Sequence, residues 1–178
     1  MSLTVIEPRS GIEENQLESG GRLRVKGKIA IALMLVGWAL SASAKDLALI
    51  SNKANSVEAM PVAELVKICK GQTSRWPDGK AVAFVMRDPG SPDAKMVLEK
   101  VYGMTKDEVI ALIASANHNR VSHPAIIVVD SDDDVVKKVE ATPGAVGLVD
   151  VYAITGGVTV VRLAGKLPLE QGYLLHGN

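Results

Sequence analysis

A three-layer α/β/α sandwich is the fold class that the sequence predicts for residues 45–178. From Asp46 onward, short apolar runs alternate with segments of helical periodicity, the pattern of helices laid over a sheet. One run, Ala81–Met86 (AVAFVM), is apolar at every position, which suits a strand covered on both faces. Composition agrees. The 178-residue chain is 47% hydrophobic and 3% aromatic, with 20 basic and 20 acidic residues. Those values fit one aliphatic core. Zero formal net charge argues against a general nucleic-acid binder, which needs a basic patch.

The elements follow in order. Asp46–Ser51 (DLALIS) reads as a first strand. Met60–Gly71 reads as a helix, with Pro61 early and Gly71 just past its end. Trp76–Lys80 (WPDGK) is a turn punctuated by Pro and Gly, and the strand Ala81–Met86 follows it. Ser91–Gly103 reads as a helix whose buried stripe is Met96, Val97, Leu98 and Val101. Thr105–His118 reads as another, with Thr105 and Glu108 forming a capping box. Ala125–Val129 is strand-like. Ser131–Gly144 is helix-like, with acid at its start and Lys137 and Lys138 later, as the macrodipole favours. Ala145–Val151 and Val158–Leu163 are final strands. Glu170–Asn178 carries no pattern, and His176 is expected at a frayed terminus.

The first 44 residues stand apart. Arg22, Arg24, Lys26 and Lys28 precede the apolar run Ile29–Leu40, and Ala42 and Ala44 then occupy small-x-small positions. That order is a secretory signal peptide over 22–44, cleaved near Ala44. The run is shorter than the roughly 20 residues of a spanning helix. Residues 1–21 are polar and unpatterned, either a disordered extension or a mis-assigned start. The domain at 45–178 is therefore expected to be periplasmic or secreted. Cys69, the one cysteine, falls on the apolar helix face with Val62, Leu65 and Val66, which marks it as a core residue.

Functional interest centres on Val85–Lys95 (VMRDPGSPDAK). A helix start presents unpaired backbone N–H groups that suit an oxyanion. Gly90 would admit a close approach, Ser91 could donate its hydroxyl, and Arg87 could make a bidentate contact. The same residues also make an ordinary helix start, with Ser91 as N-cap, Pro92 first and Asp93 as first-turn acid. Pro92 removes one N–H. Asp93 opposes an anion by about 4 kcal/mol at roughly 4 Å and an effective dielectric near 20. One or two charge-assisted hydrogen bonds offset about that much.

The stretches Glu64–Val82, Arg87–Thr105 and Val135–Val151 together resemble the phosphate-binding periplasmic proteins of ABC transporters and their short one-domain relatives. The marks are the helix end at Lys70-Gly71, Trp76 in the next turn, Arg87 before Gly90-Ser91, and the TPGAVGLV run from Thr142. The resemblance implies a single lobe of the type II periplasmic-binding-protein-like fold. It implies phosphate or a similar small anion as ligand, bound for transport or sensing. Of the family loop R-x-x-G-S-G-T, Arg87, Gly90 and Ser91 carry over, while Pro92 and Asp93 depart from it. Ser51 and Lys53, at the end of the first strand, are the expected helpers. A membrane transporter or a sensor protein is the expected partner. The competing expectation is a ligand-free protein-interaction module of the same fold in the cell envelope. Oligomeric state is not readable.

Other constellations are weaker. The acidic run from Asp130 has Val135 and Ala141 where a calcium loop needs Gly and Glu, so it reads as a helix start. His118 and His123 lack a third metal ligand nearby. Ser91 with either histidine lacks the G-x-S-x-G elbow. The expectation is no enzyme, no metal and no cofactor.

Overall fold

A computed structural model describes residues 45–177. The expected start, the signal peptide and its cleavage position all lie outside the described residues.

The central sheet has five strands in the order β4-β3-β5-β1-β6. These are β1 (Leu47–Asn52), β3 (Ala83–Arg87), β4 (Ile126–Val129), β5 (Ala145–Asp150) and β6 (Val158–Val160). β3 runs parallel to both β4 and β5, while β1 runs antiparallel to β5 and β6. One strand thus opposes the other four. The register Leu47↔Asp150 and Ser51↔Val146 sets the start of β1 beside the end of β5.

Side-chain alternation sorts the sheet into two apolar faces. Leu47, Leu49, Phe84, Met86, Val146 and Leu148 point to one face. There they meet α1 (Val62–Cys69), the helical segment that ends at Tyr102, and Val109 of α3 (Lys106–Ala116). Ala48, Ile50, Val85, Ala145 and Val149 point to the other face. They are covered by Val135, Val136 and Val139 of α4 (Asp132–Ala141). The three layers expected from the sequence are present. α4 packs closely on β5 at Gly147, where a Cβ would stand 2.9 Å from Val135 and 3.0 Å from Val139.

Several local expectations hold in detail. Thr105 and Glu108 form the capping box. The Ser131 hydroxyl accepts the Asp134 N–H, so the acidic run is the capped start of α4. Cys69 is fully buried, and burial pushes its thiol pKa well up.

Three expectations change. The helix read over Ser91–Gly103 is a 3-10 turn (Pro92–Ala94), one α turn, α2 (Lys95–Val97), and a π turn (Leu98–Tyr102), ended by Gly103 in the left-handed region. The strand read over Val158–Leu163 divides into β6 and β7 (Arg162–Leu163). Val161 still donates to Leu49, but Arg162 donates to Glu58 and pairs β7 with a two-residue strand, β2 (Ala59–Met60). The expected frayed end is docked: Tyr173 and Leu175 are buried, and Leu47 N–H donates to the Leu175 carbonyl.

Candidate functional site

The strand order reverses between β3 and β5, because β4 lies on one side of β3 and β5 on the other. In open α/β sheets the crevice beyond the carboxyl ends of such strands is where ligands bind. Arg87 ends β3 and Asp150 ends β5, so both stand at that crevice. Asp130 and Asp132 follow the end of β4. Lys45 arrives there from the start of the antiparallel β1.

These groups form a charge network. Arg87 Nη1 donates to Asp93 Oδ2 at 2.5 Å and to Asp132 Oδ2 at 3.2 Å, and Nη2 donates to the Asp130 carbonyl at 3.2 Å. Lys45 Nζ donates to Asp93 Oδ1 at 2.8 Å and lies 3.9 Å from Asp150 Oδ2. Both carboxylate oxygens of Asp93 are therefore held by cations from two different strand ends. The Lys45 ammonium holds the Asp93 carboxyl below its ordinary range, with Arg87 adding to the effect. Reciprocally, Asp93 raises the Lys45 pKa, against a smaller opposing effect of burial.

The turn itself differs from an open cradle. Gly90 N–H donates to Asp88 Oδ1 at 2.8 Å, and Ser91 N–H donates to the Asp88 carbonyl at 2.9 Å. The two backbone donors expected to face an anion are thus taken by Asp88. A Cβ at Gly90 would make only ordinary contact with the Asp88 carboxylate, so close approach is not what this glycine provides. Nor does Ser91 cap the helix through its side chain. Its hydroxyl and Arg87 Nε are buried, with no hydrogen-bond partner among the described residues. A cavity beside Arg87, lined by Arg87, Asp93, Asp132 and apolar neighbours but not by Ser91, holds about 10 Å³, room for one water.

The structure does not bring Ser51 and Lys53 to this crevice. β1 runs antiparallel to β5, so Ser51 pairs with Val146 at the start of β5. That is about 13 Å along the strand from the Leu47 end. Ser51 is buried and its Oγ accepts from Asn55 Nδ2, while Lys53 is exposed in the following turn. Lys45 is the residue that sequence reading missed. Only the direction of β1 reveals it, and its one sequence signal is a cation just before the first strand. His118 and His123 lie in the loop before β4, at the start of the parallel strands, so no Ser91–His pair assembles.

No family model matches the chain, and no curated protein matches it. Solved structures do. An ABC-type phosphate transport receptor from Vibrio cholerae aligns with a TM-score of 0.56 and 20% identity over 70% of this chain and 48% of its own. PstS from Borrelia burgdorferi aligns with a TM-score of 0.58 and 17% identity over 76% of this chain and 55% of its own. A phosphate binding protein from Stenotrophomonas maltophilia aligns with a TM-score of 0.52 and 16% identity, over 70% and 40%. The fold is that of the periplasmic-binding proteins of type II. The chain spans about half the length of the structures it matches, as a single lobe would.

Proposed function

We propose that the protein is a non-enzymatic, solute-binding-like domain of the cell envelope that takes a small oxyanion of the phosphate class. The site centres on Arg87 at the Arg87–Ser91 turn, in which Gly90 serves only the turn itself, with Lys45 in place of Ser51 and Lys53. The observation that carries this reading is the convergence of Arg87 and Lys45 on the two oxygens of one carboxylate, in the strand-end crevice. A guanidinium and an ammonium set about one oxyanion group make a recognition geometry. Arg87 Nε, on the same guanidinium, is buried and adds a donor with no partner among the described residues. A buried donor left unpaired costs about 1–3 kcal/mol, which an oxyanion contact would relieve. The fold shared with phosphate-binding structures supports the ligand class, and a membrane transporter or sensor as the partner.

A second reading, a ligand-free interaction module, is favoured by one observation: the crevice has room for only a water while Asp93 fills it. Titration calorimetry with phosphate and sulfate on the protein and on Arg87→Ala tests the first reading. Saturable heat in the millimolar range, about 4 kcal/mol of binding, that is lost in Arg87→Ala is expected. Equal heat in the variant would place binding elsewhere and overturn it.

A further inference from the structure

We propose that Asp93 is a tethered competitor for this site, an internal carboxylate that occupies the Arg87–Lys45 pair and holds it closed against free oxyanions. The inference rests on the oxyanion reading above and adds the control of that site. Asp93 is the residue that both cations share, with Arg87 on one carboxylate oxygen and Lys45 on the other. Among the described residues, no other acid in the crevice is held this way. Asp132 is paired, among the described residues, with Arg87, and Asp150 lies 3.9 Å from Lys45.

Tethering gives Asp93 an advantage that a free anion lacks. It sits six residues beyond Arg87, on a turn whose next residue, Ala94, is 2% exposed and anchored in the core. Its carboxylate therefore meets Arg87 at the effective concentration of an intramolecular partner, in the millimolar range for short connections. A free oxyanion must outcompete that concentration before it gains a contact. Charge works in the same direction. Two cations, Lys45 and Arg87, face three carboxylates, Asp93, Asp132 and Asp150, so an incoming anion meets a net negative crevice. Without the Asp93 charge, the two cations are paired with Asp132 and Asp150 alone among these three, and the repulsion of an incoming anion falls by one charge.

The closure is reversible by a local movement. The Asp93 side chain is 30% exposed, so rotation about its own side-chain bonds can carry the carboxylate into solvent while the backbone stays fixed. In doing so it vacates the space beside Arg87 Nη1 and Lys45 Nζ. No strand or helix needs to shift, which distinguishes this device from a hinge.

The test is phosphate titration of the wild-type protein, Asp93→Asn, Asp93→Ser and Arg87→Ala/Asp93→Asn, with circular dichroism and a melting curve for each. Two substitutions at Asp93 keep the result independent of how well either one folds. Affinity at least about tenfold tighter in both Asp93 variants, lost again in the double variant, is expected. Equal affinity in the wild type and the Asp93 variants would overturn the competitor and leave the oxyanion site standing. No phosphate binding in any folded variant would overturn the site reading and the competitor with it. Binding by Asp93→Asn that survives the added Arg87→Ala would do the same, by locating the heat elsewhere.

Discussion

Arg87 and Asp93 face each other across the turn that links β3 to the next helical segment, with Nη1 and Oδ2 at 2.5 Å. The same nitrogen reaches Asp132 at 3.2 Å, so one guanidinium ties the β3 end both to its own turn and to the start of α4. The side chains are 20%, 30% and 17% exposed, which puts the group between a surface pair and a buried one. Arg87→Ala is expected to destabilise the protein by about 2 kcal/mol, because it strands two carboxylates beside each other. Urea denaturation of Arg87→Ala, Asp93→Ala and the double variant measures this. The double variant should cost less than the sum of the singles, and strict additivity would show that the contact contributes no coupling.

The Asp93–Lys45 pair gives stability a defined pH window. Asp93 has its pKa lowered from the ordinary 3.8, so its contribution is present above that value and is lost as pH falls through the lowered pKa. Lys45 has its pKa raised from the ordinary 10.5, so its contribution is present below that value and is lost as pH rises through the raised pKa. Lys45→Met should therefore melt below the wild type at neutral pH. The difference should shrink toward zero in strong acid, below the carboxylate range. Melting curves at neutral pH and near pH 2 read the two ends, and a difference that persists unchanged in acid would mean Lys45 acts through packing.

Gly144 is fixed by geometry at the start of β5. Its φ is +91°, and a Cβ there would stand 2.0 Å from the Ala81 carbonyl oxygen. Its own carbonyl accepts the Trp76 indole N–H at 2.8 Å, and its N–H donates to Asn55. Gly144→Ala forces a strained backbone angle and a backbone clash together, at a cost of about 3 kcal/mol or more. Expression and urea denaturation of Gly144→Ala check this, and wild-type stability would contradict the placement of the Ala81 and Gly144 backbones.

Sequence legibility followed the range of the interactions. Thr105 with Glu108, and Ser131 with Asp134, make contacts three residues apart, so their caps could be read directly. The all-apolar Ala81–Met86 run announced a strand covered on both sides, and Val85 and Met86 do face opposite layers. The proposed site was half legible. Arg87 and Ser91 share one turn and were found together. Ser51 was misplaced because nothing local states that β1 runs against its neighbours, and that one direction exchanges Ser51 for Lys45 at the crevice. Asp93 read as a first-turn acid, whereas its side chain turns back to Arg87 and across to Lys45. A two-residue strand such as β2 has no period to detect, and its partner β7 is about a hundred residues away in the chain.

The C-terminal residues carried no sequence signal, yet they complete the core. Leu175 is 0% exposed and Tyr173 4%, both among the side chains on the α1 face of the sheet. The Leu175 carbonyl accepts from Leu47, and Gly177 N–H and His176 Nδ1 both meet Asp46 Oδ1, at 2.9 Å and 2.6 Å. Backbone pairing beside β1 thus places Leu175 in the core, where helical or strand periodicity has no room to show. Leu175→Ala removes a fully buried side chain and is expected to cost about 3 kcal/mol, a core value. His176→Ala removes a side chain that is 60% exposed and should cost less than about 1 kcal/mol. Urea denaturation of the two variants separates a docked segment from a frayed one. A docked segment gives the large difference, and near-wild-type stability for Leu175→Ala would mean that the end of the chain is loose in solution.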